Sequence, residues 1–238
     1  ALRAVAMLWM TAYHFAFDLD HFRLIDQDFH RDPFWTWQRT AIVSLFLFTA
    51  GLSQAVALAQ GQGWARFWRR WGQVAGAALL VTAGSMAMFP KTFIYFGVLH
   101  GIAVMLIVVR LTAGWGRWLW PLGAAAIAAK FVAPVVIEAV PVLEVFNTTG
   151  LNTLGFISRL PVTEDYVPVL PWLGVMWWGV AAGQWALNRR PAWLGAADGP
   201  ATGIRRGMAV LGRWSLSYYL LHQPVLIGLV TAFVWLRG

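Results

Sequence analysis

Near the start of the chain, residues that could do chemistry recur at helical spacing. Arg3, Met7, Met10, His14 and Asp18 step by four, three, four and four, so they share one helix face. His14 and Asp18 are neighbours one turn apart. A carboxylate beside an imidazole fixes the ring's tautomer and raises its basicity, as a general base requires. The alternative is a His–Asp pair that ties this helix to another. Arg3 stands about 16 Å from His14 at a rise of about 1.5 Å per residue. An anion held at Arg3 would reach His14 with its far end; alternatively, Arg3 snorkels and marks a membrane interface.

The elements that must position these residues are membrane helices. Hydrophobic residues make up 59% of the 238 and charged residues only 12%. That charged fraction is about half the usual soluble share, too little to cover a water-facing surface. Sixteen Trp suit a bilayer interface, where an indole keeps one side apolar and one polar. Roughly 20 apolar residues make a span. Seven such stretches are expected: 1–19, 34–60, 71–89, 95–111, 118–140, 167–187 and 214–236, with Pro134 a kink in the fifth. The opening residues already read as helix, so a preceding segment is expected. The reading is one all-α polytopic membrane domain over 1–238, without room for a large soluble module.

Loop charge sets the orientation. Arg66, Arg69 and Arg70 follow span 2, Arg110 and Arg117 follow span 4, and Arg189, Arg190, Arg205, Arg206 and Arg213 follow span 6. Asp20, Asp26, Asp28 and Asp32 follow span 1; Glu144, Glu164 and Asp165 follow span 5. Basic loops mark the cytoplasmic side, so the N-terminus is expected there. The same pattern explains the net charge of +8 without nucleic acid. With no Cys, disulfides, thiolate metal sites and a Cys nucleophile are excluded. No metal is expected.

Other polar residues fall inside or beside the spans, where an ionisable group is costly and a functional candidate. His100, in Gly97-Val98-Leu99-His100-Gly101, is either a catalytic or substrate group at the depth of His14 or a helix-to-helix hydrogen bond. Arg39 binds an anionic group or pairs with Asp18. Tyr218, Tyr219, His222 and Gln223 precede Pro224, which frees a backbone carbonyl for a polar neighbour; His222 is therefore a site residue or a structural partner. Trp35, Trp37 and Trp172 anchor the interface or stack on a sugar. The long 141–166 loop carries an Asn147-Thr148-Thr149 sequon, read as chance, and 189–203 reads as a flexible loop.

Several segments together resemble a known group. Leu2-Arg3-Ala4-Val5-Ala6 with Tyr13-His14 resembles the first helix of transmembrane acyltransferases. The ordered set Tyr13-His14-Phe15-Ala16-Phe17-Asp18-Leu19, Ser44-Leu45-Phe46-Leu47-Phe48-Thr49-Ala50-Gly51, Phe96-Gly97-Val98-Leu99-His100, Val169-Leu170-Pro171-Trp172-Leu173-Gly174 and Ser215-Leu216-Ser217-Tyr218-Tyr219-Leu220-Leu221-His222-Gln223-Pro224 is similar to the bacterial heparan-α-glucosaminide N-acetyltransferase-like proteins. The resemblance implies transfer of an acetyl group from cytoplasmic acetyl-CoA to an amine or hydroxyl of a glycan or amino-sugar acceptor outside the bacterial inner membrane. By that analogy His14 takes the catalytic place, aided by Asp18 and His100. Arg3, Met7, Met10, Arg205, Arg206 and Arg213 hold the acyl-CoA, and Arg39, Trp37, Trp172 and His222 the acceptor. The lysosomal relatives place Asn where this chain has His14 and carry their key His further along the outer loop, a place for His21 or His30. Two other readings stay open, a haem-binding bundle using the intramembrane His residues and a small-molecule transporter. A homo-oligomer is also compatible.

Overall fold

The computed structural model describes residues 2–189 and 203–237, without the side chains of Ile204 and Arg205. Among them the regular structure is helical, and Phe96 and Tyr166 form an isolated bridge. The helices are α1 (Leu2–His21), α2 (Pro33–Ala59), α3 (Trp64–Met88), α4 (Val98–Thr112), α5 (Leu119–Ala139), α6 (Val169–Arg189), α7 (Gly203–Arg213) and α8 (Ser215–Arg237). The chain forms two compact units, one from 1–46 with 198–238 and the other from 47–197.

In the first unit, α1 is polar inside and apolar outside. Leu2, Val5, Leu8, Trp9 and Phe15 are exposed, while Ala4, Ala6, Met7, Met10, Tyr13 and Asp18 are buried. Water strongly disfavours an exposed face of apolar side chains. The inner face packs as an aromatic core of Met10, Tyr13, Phe29 and Ile42, joined by Phe17, Trp35, Tyr218 and Tyr219. Helix α8 shows the same outward character at Leu221, Val225, Leu229 and Phe233.

Among the described residues, four stretches are long and apolar enough to cross a bilayer: Pro33–Ala59, Trp64–Met88, Val98–Ala139 and Ser215–Arg237. The third exceeds one crossing, since roughly 20 residues suffice. It comprises α4 and α5 joined by a 3-10 turn, Ala113–Trp118, where Gly116 takes a φ of 55°. Helices α1 and α6 are not among the four. α1 carries Arg3, His14, Asp18 and Asp20, and α6 carries Gln184 and four Trp, which lower their mean hydropathy.

The second unit is built on close helix contacts. A side chain on Gly51 of α2 would run into the Met176 carbonyl of α6, and one on Gly179 would run into the Phe48 carbonyl. Small residues at such crossings let backbones approach, which is how membrane helices associate without a hydrophobic drive. Helix α4 starts under Asp165, whose Oδ2 accepts from the Val98 N–H at 2.7 Å. A carboxylate there satisfies an orphan donor and faces the positive end of the helix dipole. Replacing Asp165 by Ala is expected to lower stability by about 1 kcal/mol, read as an earlier thermal unfolding midpoint in detergent. Around this cap, residues 92–96 bond 163–167: Glu164 N–H donates to the Thr92 carbonyl (2.8 Å), Val167 N–H to Phe96 (3.1 Å) and Thr163 Oγ1 to Phe93 (2.8 Å). Tyr166 donates to the Asn152 carbonyl at 2.6 Å; burial and then neighbouring Tyr95 raise its ionisation above the ordinary range.

Several expectations are corrected. Helix α3 begins at Trp64 rather than 71, so Arg66, Arg69 and Arg70 lie on its first turns, not in a loop. Arg is a good helix former, so nothing stops the helix at these residues. Arg110 also leaves the loop for the last turn of α4. Its guanidinium lies 5.1 Å from the Trp64 ring and 5.5 Å from Phe67, and it donates to the Gln62 carbonyl. Pro134 lies within α5, which runs unbroken. Asn147 is built into the 141–166 loop, its Oδ1 accepting from the Ser158 and Arg159 N–H groups at 3.0 and 3.2 Å.

Candidate functional site

The candidate chemistry gathers where α1 meets α8 in the first unit. The α1 spacing places His14 and Asp18 toward α8, which offers His222 and Gln223. The His14 and His222 rings touch at a centroid distance of 5.2 Å and an angle of 60°. Asp18, 3% exposed, accepts from Gln223 Nε2 at 2.7 Å through Oδ1; its Oδ2 has no protein partner. His222, 9% exposed, sets Nδ1 2.6 Å from the Tyr219 carbonyl. A carbonyl only accepts, so Nδ1 holds the proton and Nε2 the lone pair. That Nε2 is buried without a partner, as is Gln223 Oε1. Tyr218 lies parallel to His222 at 6.1 Å. Its hydroxyl meets Thr11 Oγ1 at 2.6 Å; Thr11 gives its own proton to the Met7 carbonyl (2.9 Å), so Tyr218 is the donor.

Beyond this seam, the α1–α2 connection forms an open pocket of about 320 Å³ lined by Phe17, Asp20, His21, Asp26, Asp28 and His30, among others. Asp20 Oδ1 accepts from the Gln27 N–H (2.8 Å), and Asp28 Oδ1 from those of His30 (3.1 Å) and Arg31 (2.9 Å), which shapes the wall. A run of ring contacts joins the two places: His14 to Tyr13 at 5.8 Å, Tyr13 to Phe29 at 5.6 Å, Phe29 to Phe17 at 5.3 Å and Phe17 to His30 at 6.3 Å.

Not every expected partner is where spacing placed it. Asp18 bonds Gln223 rather than His14 or Arg39; Arg39 is exposed on α2 and makes no ion pair with a described residue. Met7 and Met10 are buried, and Met10 belongs to the aromatic core rather than to an open passage. Arg3 is partly exposed. Arg206 and Arg213 are exposed on α7, while the Arg205 side chain lies outside the described residues, as does Arg190. Trp37 is 72% exposed in the first unit. Trp172, half-buried, and His100 belong to the second. His100 Nε2 lies 3.0 Å from Thr82 Oγ1, which gives its proton to the Ile94 carbonyl, so His100 donates here and ties α4 to α3. Glu164 and Asp165 of the outer acidic set are held within the second unit by Thr92 and Val98.

Sequence reading missed two contributors. Gln223 was seen only as a mid-span polar residue, and its bond to Asp18 joins positions 205 apart. Helix α7 was read as loop, although Met208 and Leu211 stand at helical spacing between Arg206 and Arg213.

No curated protein matches the chain, and no solved structure does. A family does, across nearly the whole length: residues 1–224 match the one described as heparan-alpha-glucosaminide N-acetyltransferase, catalytic. The chain therefore belongs to the heparan-alpha-glucosaminide N-acetyltransferase catalytic family.

Proposed function

We propose that this chain is a membrane acetyltransferase that takes the acetyl group of acetyl-CoA on the cytoplasmic side and passes it to an amine or hydroxyl of a glycan-type acceptor outside. The reading further takes seven bilayer passes with the N-terminus in the cytoplasm. One observation carries it: α1 turns a partly accessible imidazole, His14, inward among polar groups of α8 while its opposite face is wholly apolar.

In this reading the acceptor nitrogen or oxygen attacks the thioester carbonyl carbon. His14 takes the proton that the acceptor loses, the carbon–sulfur bond breaks, and the CoA sulfur leaves to be protonated. A positioned base contributes about a hundred- to ten-thousand-fold to such a step. The cavity with Asp20, Asp26, Asp28, His21 and His30 suits a polar acceptor carrying a positive amine, through its carboxylates. The exposed Arg206 and Arg213 of α7, with Arg3, suit the CoA phosphates, which arginine binds with paired N–H groups. The haem alternative gains nothing from the seam, because the touching His14 and His222 rings leave no gap for a macrocycle.

The test is direct. Purified protein in lipid nanodiscs is given acetyl-CoA and a panel of amino sugars, and products are read by mass spectrometry. Free CoA with an equal amount of acetylated sugar is the expected result; CoA intact across the panel removes the proposal. Replacing Arg3 by Ala is expected to weaken acetyl-CoA binding about ten-fold, in line with one lost charge-assisted hydrogen bond. Calorimetry that returns the same dissociation constant removes Arg3 from the phosphate site.

A further inference from the structure

A base on an imidazole needs its other nitrogen held. One ring nitrogen must give its N–H to a fixed acceptor so that the opposite nitrogen presents a lone pair. The expected holder of His14 was Asp18, but that carboxylate accepts from Gln223. Neither nitrogen of His14 bonds another described residue. Beside it stands an acceptor with the opposite deficit. His222 Nε2 bears a lone pair, because Nδ1 gives its proton to the Tyr219 carbonyl, and it is buried without a partner. A buried acceptor left unmet is destabilising. The two rings touch with their centroids 5.2 Å apart, close enough that a turn of the His14 ring carries one of its N–H groups toward His222 Nε2.

We propose that His222 is the positioning residue of this site: its Nε2 accepts the N–H of His14 and leaves the other His14 nitrogen as the free base. The inference rests on the acetyl-transfer reading for its catalytic meaning, but the pairing itself stands apart from it. Tyr219 and Tyr218 are the supports. The Tyr219 carbonyl sets the tautomer of His222, and the parallel Tyr218 ring at 6.1 Å holds its plane. Asp18 Oδ1 is engaged by Gln223, which leaves His222 as the acceptor beside His14. His222 passes no proton to the acceptor; it acts through His14.

Two measurements test this. In wild-type protein labelled with 15N at His, the His14 ring is expected as a single tautomer whose N–H couples across a hydrogen bond to a lone-pair nitrogen of His222. Mixed tautomers of His14, or no coupling to His222, overturn the proposal. The second compares His222→Phe, which keeps a ring against Tyr218 but removes the acceptor, with His222→Gln, whose amide oxygen can accept. His222→Phe is expected to lower kcat for transfer to glucosamine about a hundred-fold at unchanged KM for acetyl-CoA and to release the His14 tautomer, and His222→Gln to recover about ten-fold of that loss. A merely structural His222 would lower the melting point of both variants alike and leave kcat per folded molecule unchanged, which overturns the proposal. If wild-type protein transfers no acetyl group, the acetyl-transfer reading fails, while the labelled spectrum still decides the pairing.

Discussion

Replacing His14 by Ala is expected to remove acetyl transfer while the purified protein keeps its melting point and its affinity for acetyl-CoA. The fold should tolerate the change because His14 is only partly buried and its closest ring contact, with His222, lies within one helix seam. The chemistry should not. Without a base, the acceptor must lose its proton to water during attack, and the rate falls by about a hundred- to ten-thousand-fold. The check is release of CoA under saturating acetyl-CoA and glucosamine, with calorimetry for the donor. Full turnover in this variant ends the assignment of His14. Loss of turnover in His30→Ala instead, with His14→Ala active, would move the base to the cavity between α1 and α2.

The largest expected loss of stability comes from a glycine far from that chemistry. Gly179→Leu should destabilise the second unit severely, because even the first carbon of a side chain there collides with the Phe48 carbonyl, and Leu52 backbone lies just beyond. These are backbone atoms, so α2 and α6 must separate. Overpacking of this kind costs about 1–3 kcal/mol, and separation forfeits the close contacts that hold membrane helices. The expected readout is an early unfolding midpoint and a poor monodisperse yield in detergent. Gly84→Leu is the control, since Gly84 on α3 faces open space. Equal midpoints for the two variants would refute a tight crossing of α2 and α6.

The parts legible in the sequence were those with a local period. The inward face of α1 followed from steps of three and four, and Met7, Met10 and Asp18 are buried as that face requires. The apolar stretches gave the helical class. Charge was a poorer guide, since arginines taken for loop markers extend α3 and close α4. The partner of Asp18 was illegible for another reason. A bond across 205 positions leaves no trace in spacing, and Arg39 and His14 were nearer in sequence and chemically plausible. Glycines of the Thr49-Ala50-Gly51 and Phe96-Gly97-Val98 segments stood out as familiar, yet only the structure gives their reason, a crossing helix at Gly51 and the Asp165 carboxylate at Gly97.

The first unit is assembled from two segments far apart in sequence, 1–46 and 198–238, and this has a consequence for biogenesis. Helix α1 is made well before α8, yet by length and composition it is not among the stretches that qualify as spans alone. Its buried carboxylate meets its partner only when Gln223 has been made. Until then a nascent α1 holds an unmet acid against lipid, a state that favours a shallow or shielded position over a settled one. The helix bearing the candidate base is thus seated only once α8 has been made, and truncation just short of α8 leaves it without the neighbour that makes its polar face tolerable.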